Sequence, residues 1–150
     1  MTENTPHVLV VDDDWMAREL LEAHLDAAGY RVSSAGNGKK ALEIARNDAP
    51  DLIMLDAKLP DMSGFEVCKQ LKSDAATYPI PVLFVTSLES DEDRHKGIHA
   101  GAADFMSKSF NHLVMTARVK SLIQGKQLND ELHRRSARYL DSEITESILQ

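Results

Sequence analysis

Short apolar runs alternate with longer amphipathic stretches through most of the chain. His7 to Val11, Asp51 to Leu55 and Ile80 to Val85 are nearly continuous apolar runs, which are typical of strands covered by helices on both faces. Weaker runs at Tyr30 to Ser34 and Asp104 to Met106 predict strands nearer the edges. Because a segment of helical periodicity follows each run, the pattern predicts a parallel sheet with right-handed crossovers.

Five helical segments fit between and after these strands. Leucines repeat at helical spacing before Gly29, Asn37 to Arg46 forms the next segment, and Ser63-Gly64 opens a third. Asp91 to Ala100 predicts the fourth helix, and a fifth begins near Phe110 and extends towards the C-terminus. The predicted fold class is α/β, a five-stranded, doubly wound parallel sheet with an extended C-terminal helix.

Length and charge exclude several classes of function. The chain has 150 residues, about one domain, with 17 Lys and Arg against 24 Asp and Glu. A direct nucleic-acid contact would require a basic surface instead. The single cysteine, Cys68, leaves no internal disulfide, and we expect neither a leader nor a membrane span. The sequence therefore predicts a cytoplasmic protein without membrane or nucleic-acid contacts.

Polar residues follow four of the predicted strands. Asp12 and Asp13 follow the first strand, Asp56 the third, Thr86 the fourth and Lys108 the fifth. In open α/β sheets, ligands bind beyond the carboxyl ends of the strands, where the strand order reverses. We therefore expect these five side chains to converge at one edge of the sheet.

Four motifs in this order resemble the receiver domain of two-component response regulators. The motifs are VLVVDD, LIMLDAKLPDMSGFEVC, PVLFVTS and GAADFMSKSF, within residues 7 to about 122. A narrower match, FNHLVMTARVKSLIQGKQLNDEL, resembles the segment that follows receivers in diguanylate cyclase response regulators. The resemblance implies a chemotaxis-regulator-like, flavodoxin-like sheet with strand order 2-1-3-4-5.

The acidic residues of these motifs predict a metal site. Carboxylates would repel an incoming phosphoryl group unless a hard divalent cation lies between them, and Mg²⁺ prefers carboxylates, a carbonyl and water. The resemblance implies that Asp13 and Asp56 bind Mg²⁺ directly and that Asp12 acts partly through water. It also implies that the backbone carbonyl of Lys58 is a further ligand.

The resemblance also implies a reaction and a switch. Asp56 would attack the phosphohistidine of a sensor histidine kinase or a phosphotransfer protein in a phosphorelay, giving an aspartyl phosphate. Lys108 and Thr86 would each bind a phosphoryl oxygen, and Thr86 and Phe105 would form the switch. A receiver of this kind is not an enzyme, because it promotes only its own phosphorylation and dephosphorylation.

Two residues depart from the family pattern. The family usually has proline after the lysine with a cis peptide between them, but Ser109 follows Lys108 here. A cis bond before a non-proline residue costs about 2.5 to 4 kcal/mol. Either a strained cis bond survives, or the bond is trans, the loop takes another path and Lys108 lies farther from Asp56; we favour the trans bond. Lys58, the second departure, either reaches the phosphoryl group or points into water.

Two other functions compete with the receiver. A Mg²⁺-dependent aspartate-nucleophile phosphohydrolase would normally need a second acid two residues beyond Asp56, but Lys58 stands there. A flavodoxin-like cofactor binder needs a phosphate loop after the first strand, where the acids would repel phosphate. Turnover of a small phosphate ester would distinguish the phosphohydrolase.

We expect the C-terminal part of the chain to have a role separate from that of the receiver. We expect a receiver at residues 1–124 and an extended helix or linker at 125–150, leading to an output domain or a dimer partner. Its apolar residues recur at a spacing of four or eight: Leu128, Leu132, Leu140, Ile144 and Ile148. The chain is then either a stand-alone receiver or part of a longer regulator with a cyclic-di-GMP enzyme as output.

All six histidines are interpreted as structural or surface residues, because none shows a metal-ligand spacing.

Overall fold

The computed structural model describes residues 5–87 and 90–149, with side chains as far as residue 136. In this part of the chain, five strands and five helices alternate. Their bounds are β1 (His7–Val11), α1 (Trp15–Ala27), β2 (Arg31–Ala35), α2 (Gly38–Asp48), β3 (Leu52–Leu55), α3 (Gly64–Ser73), β4 (Val82–Thr86), α4 (Asp91–Ala100), β5 (Asp104–Ser107) and α5 (His112–Leu149).

All strand pairs are parallel, and the strand order is β2-β1-β3-β4-β5, which confirms the predicted sheet. The order reverses at β1, which lies between β2 and β3. The last residue of β1, Val11, pairs with Ala35 of β2 and with Leu55 of β3. Because Thr86 pairs with Ser107 in the same way, the carboxyl ends of the strands meet along one edge.

Two apolar layers cover the sheet, one on each face. Leu9 and Val11 of β1 belong to the layer formed with α2, α3 and α4. Val8 and Val10 point to the opposite layer, which is formed with α1 and α5. The alternation explains why the central strands are continuous apolar runs, since both faces of each strand are buried.

The helices begin at side chains that bind their free backbone N–H groups. Asp14 accepts from the N–H of Met16 at α1, Asn37 accepts from Lys40 at α2, and Ser63 accepts from Glu66 at α3. The sequence predicted Asn37 as the first residue of the second helix, but it is the N-cap residue just before α2. These caps satisfy donors that have no partner within the helix.

Helix α5 is continuous and roughly 57 Å long at 1.5 Å per residue. Its last buried apolar residue among those described is Ile123, whereas Leu128 and Leu132 are 60% and 54% exposed. The side chains of Leu140, Ile144 and Ile148 lie outside the described residues. The proposed division at 124/125 remains a prediction. None of the helices in the described ranges has the length and apolar character of a membrane span.

His7 is a buried titratable group at the start of β1. Its Nε2 lies 2.7 Å from the Ser33 hydroxyl, and its Nδ1 has no hydrogen-bond partner among the described residues. Burial, aided by the nearby Arg31 cation, lowers the pKa of His7 below its usual value of 6.5. The folded protein therefore holds the neutral imidazole.

We expect acid to destabilise the fold through His7. Below about pH 6.5 the unfolded chain binds a proton that the native imidazole excludes, so the free energy of unfolding falls as the pH falls. Urea titrations between about pH 7.5 and 5.5 should show this fall, and His7→Gln should reduce it. His133→Gln, at an exposed site on α5, is the control. An unchanged slope for His7→Gln would contradict the assignment.

Candidate functional site

Three carboxylates meet at the carboxyl edge of the sheet. Asp12 directly follows β1 and Asp56 directly follows β3, and both are buried, while Asp13 is exposed. The backbone N–H of Asp56 donates to the Val11 carbonyl at 3.0 Å, which holds the two strand ends together. One oxygen from each of the three carboxylates lies within 4.8 Å of the others. The acids predicted from the sequence thus form one cluster.

Lys108 supplies the positive charge that this cluster needs. Its Nζ lies 2.9 Å from Asp12 Oδ2 and 2.9 Å from Asp56 Oδ2. The backbone N–H of Lys108 donates to the Thr86 carbonyl at 3.0 Å, so the loop after β5 is attached to the end of β4. Three carboxylates and one ammonium still leave two uncompensated negative charges, which suits a divalent cation.

Burial and hydrogen bonding act in opposite directions on these groups. Burial raises the pKa of Asp12, although the Asp14 N–H and the Lys108 ammonium both favour its charged form. Partial burial disfavours the charge on Lys108, but its hydrogen bonds to Asp56 and Asp12 outweigh this and raise its pKa. Lys108 is therefore held as a cation against the two carboxylates.

The Lys108–Ser109 peptide is trans, as predicted, since no peptide bond in the described ranges is cis. The accompanying expectation, that Lys108 would lie farther from Asp56, is wrong. The long lysine stem starts from a backbone fixed to Thr86 and spans the distance without a cis bond. The Ser109 N–H donates to the Ser107 hydroxyl at 3.2 Å, which stabilises this turn.

The loop after Asp56 packs closely against α3. The Gly64 N–H donates to the Ala57 carbonyl at 2.8 Å, and a Cβ added at Gly64 would collide with the backbone carbonyl oxygen of Asp56. The Lys58 N–H donates to Asp56 Oδ1 at 3.3 Å. The Lys58 side chain is exposed and lines a cleft between α3 and α4, which favours the solvent-directed alternative.

Thr86 is the last residue of β4, not the first residue after the strand as predicted, and it is fully buried. Phe105 is half-buried on β5, the strand in which the sequence predicted it. The Phe105 ring centroid lies 5.9 Å from that of Phe84, and the Arg94 guanidinium carbon of α4 is 5.6 Å from it. These contacts place Phe105 beneath α4, whereas its role as a switch stays a prediction.

Sequence reasoning missed three supports of the site. Arg18 donates to the backbone carbonyl of Asp12 at 2.7 Å, and nothing in the sequence indicates this contact. Asp61 accepts from the N–H groups of Gly38 and Lys39 and so ties the β3–α3 loop to α2. Gly64 was assigned only as a helix start, although its position in the second motif was a usable signal.

Residues 8–120 match the family model of the response regulator receiver domain. The chain belongs to this family. It is a receiver domain of two-component response regulators, which are phosphorylation-controlled switches that interact with histidine kinases. The phosphohydrolase alternative is not favoured.

Two relatives show how much of a regulator this receiver represents. Response regulator PleD of Caulobacter vibrioides is 45% identical over 130 residues, which are 87% of this chain and 29% of PleD. The DNA-binding dual master transcriptional regulator RpaA of Synechocystis is 41% identical over 119 residues, 79% of this chain and 49% of RpaA. The receiver therefore spans less than half the length of either relative.

Solved receiver structures have the same fold. A CheY-like receiver domain protein from Methanospirillum hungatei superimposes with a TM-score of 0.79 at 25% identity, over 84% of this chain and 99% of that one. A response regulator described as putative, from Chloroflexus aurantiacus, gives a TM-score of 0.77 at 32% identity, over 81% and 99%.

Gly64→Ala tests the close approach of α3 to Asp56. Because the added Cβ meets backbone atoms, which cannot rotate away, we expect the free energy of unfolding to fall by about 2 kcal/mol or more. Gly125→Ala is the control, since it enters open space within α5 and should raise stability by about 0.5–1 kcal/mol. Urea unfolding measures both. A fully stable Gly64→Ala protein would show that the approach is looser than described.

Proposed function

We propose that this receiver accepts a phosphoryl group on Asp56 from a phosphohistidine. The observation that carries the proposal is the cluster of Asp12, Asp13 and Asp56, with the Lys108 ammonium 2.9 Å from two of them. An Asp56 carboxylate oxygen attacks phosphorus, the bond from phosphorus to the imidazole nitrogen breaks, and its electron pair leaves with the imidazole. The product is an aspartyl phosphate.

Positioning and charge supply most of the catalysis in such a transfer. The Lys58 N–H binds Asp56 Oδ1 and so orients the carboxylate. Lys108 moves from its carboxylate partners to a phosphoryl oxygen, where its charge offsets the negative charge that arrives. The buried Thr86 hydroxyl binds a second phosphoryl oxygen in this proposal, at the end of the strand next to β3.

The donor atoms fit Mg²⁺. Carboxylate oxygens from three aspartates lie close together, and hard oxygen ligands are those that Mg²⁺ prefers. Asp13 and Asp56 would hold the ion directly, Asp12 partly through water, and the Lys58 carbonyl would add a fourth protein group. When bound, Mg²⁺ neutralises charge between the carboxylates and the incoming phosphoryl oxygens.

The phosphoryl donor is a sensor histidine kinase or phosphotransfer protein of the cytoplasm. Apolar side chains at the start of α1 support a docking surface beside the acids. Trp15, Met16 and Leu20 are 62%, 72% and 55% exposed, and the first of these lies two residues after Asp13. Exposed apolar patches of this kind mark interaction sites.

Phosphorylation of the receiver should depend on Asp56 and on the cation. With Mg²⁺ and acetyl phosphate, mass spectrometry should find one added phosphoryl group, located at Asp56. Asp56→Asn should abolish it because the amide is not a nucleophile of this kind, and Asp13→Asn should raise the Mg²⁺ concentration required, because a charged ligand is lost. Removal of Mg²⁺ with a chelator should stop labelling of the unaltered chain.

The matched control is Asp14→Asn. Asp14 is exposed and its side chain caps α1, a role that asparagine performs equally well, so labelling should be unchanged. Wild-type labelling of the Asp56→Asn protein would exclude Asp56 as the acceptor.

The response travels from Lys108 to Phe105 in this proposal. Both residues belong to the short segment formed by β5 and the loop after it, and the Phe105 ring lies under α4. A pull of Lys108 and Thr86 towards a phosphoryl group therefore changes the support of α4, which alters the surface offered to a partner.

The extended helix would carry that response. Leu128 and Leu132, one helical turn apart, expose an apolar stripe on α5, which supports a homodimer contact. We assign residues 1–124 to the receiver and 125–150 to the connection with an output domain or dimer partner. The resemblance of residues 110–132 to diguanylate cyclase response regulators supports a cyclic-di-GMP enzyme as output, fused or separate.

Self-association through α5 should increase on phosphorylation. Sedimentation velocity should show more dimer when a beryllofluoride mimic is added with Mg²⁺. Leu128→Ser combined with Leu132→Ser should abolish the increase, because it removes the apolar stripe. Leu113→Ser is the control, since this residue is 69% exposed at the other end of the helix. A monomer with and without the mimic would exclude a dimerisation role for α5.

A further inference from the structure

Two histidines on α4 point their ring nitrogens at each other. His95 and His99 are one helical turn apart and exposed, and their Nε2 atoms are separated by 2.9 Å. The ring centroids lie 4.3 Å apart at an interplanar angle of 78°. The sequence-based interpretation of the histidines as structural or surface residues agrees with the exposure of these two, but it found no metal-ligand spacing and did not consider the four-residue separation of this pair.

The 2.9 Å contact is a hydrogen bond between the two rings. Tetrahedral Zn²⁺ binds imidazole nitrogens at about 2.0–2.1 Å, which places two ligand nitrogens roughly 3.3 Å apart, so a small rotation of these exposed rings gives the separation that one ion requires. Histidines at positions i and i+4 of a helix are a recurrent bidentate arrangement for Zn²⁺. We propose that His95 and His99 bind a borderline divalent transition-metal ion of the Zn²⁺ class on the exposed face of α4.

The surroundings of the pair contain one carboxylate and several opposing charges. Asp93 lines the same cleft as the two histidines, and its carboxylate accepts a hydrogen bond from the Ser90 hydroxyl. The pair also lines a cleft of about 560 Å³ together with Lys58, Lys69 and Lys96. Their ammonium groups oppose a cation, so the site is weaker than a closed four-ligand zinc site.

An anion is the other occupant that the cleft suggests. The paired imidazoles favour the metal, because two ligand nitrogens already lie within about 0.5 Å of the separation that one ion requires. Lys96 is already 3.9 Å from Glu92 on its own helix. Charge alone gives an anion no comparable fixed geometry, so we assign the metal.

The proposed site differs in chemistry from the acidic cluster. Carboxylates and water suit Mg²⁺, whereas imidazoles suit Zn²⁺, Ni²⁺ and Cu²⁺, so one domain presents two cation sites of different selectivity. A chelate across one turn stabilises the helix that contains both ligands. The opposite face of α4 carries Gly97, where a Cβ would lie 3.3 Å from the Phe105 ring. The ion therefore stabilises the helix that covers Phe105.

Metal titrations of the full chain test the proposal. Calorimetry with Zn²⁺ and with Ni²⁺, each in excess Mg²⁺ to occupy the acidic cluster, should detect one binding site. His95→Gln and His99→Gln should each weaken it by about tenfold or more, because each removes one of the two nitrogen ligands. The control His133→Gln, at an exposed histidine of α5, should leave it unchanged.

Location is measured separately from affinity. Substoichiometric Ni²⁺ should broaden the amide NMR signals of α4 around His95 and His99. Circular dichroism should show that the His95→Gln and His99→Gln proteins remain folded. Equal affinity in all three variants would overturn the proposal. So would broadening confined to Asp12, Asp13 and Asp56, or saturable binding of inorganic phosphate in the cleft without any metal binding.

Discussion

The Lys108 ammonium between Asp12 and Asp56 is the interaction on which the organisation of the site depends. Parallel strands bring the two buried carboxylates together at one edge, and two like charges in a poorly solvated place repel each other. Lys108 offsets that repulsion from the loop after β5. It thereby links the ends of β1, β3 and β5, which are far apart in the sequence.

The same interaction suits a switch because Lys108 neutralises only part of the negative charge of the three carboxylates. One ammonium leaves two negative charges uncompensated, so the cluster retains attraction for a divalent ion. In the proposed transfer, a phosphoryl group would offer Lys108 new oxygen partners, and the flexible four-carbon stem would let the ammonium move without refolding the loop. Because the Lys108 N–H donates to the Thr86 carbonyl, a movement of this loop would also reach the end of β4 in that proposal.

Most of the architecture was predictable because its causes are local. β1 and α4 have the bounds that the sequence predicted. An apolar run defines β1, and α4 lies between an N-cap at Ser90 and a C-cap at Gly101, so neither element depends on distant residues for its bounds. β4 begins two residues later than predicted. The Ile80 N–H donates to Thr77 within a turn, and Pro81 has no N–H, so neither position donates to the sheet through its backbone.

The errors at the site arose where distant segments approach each other. The position of Lys108 was inferred from the peptide isomer alone, whereas the length of the side chain and its anchor on Thr86 decide it. The roles of Arg18 and Gly64 likewise depend on how closely α1 and α3 approach the strand ends. Composition and periodicity contain no information on such distances, whereas strand order does predict which residues share an edge.

The first part of the chain is acidic and the C-terminal part is nearly neutral, and this difference affects how two copies of the receiver can associate. Residues 1–110 contain 11 basic and 19 acidic groups, whereas residues 111–150 contain six and five. Two receivers therefore repel each other through their bodies but not through α5, and the exposed Leu128 and Leu132 lie on the near-neutral part. In the proposed switch, a change at Phe105 would act on this surface by altering the positions of α4 and α5. In the proposed dimer, the acidic body would restrict association to the helix, which would leave Asp56 accessible to the phosphoryl donor.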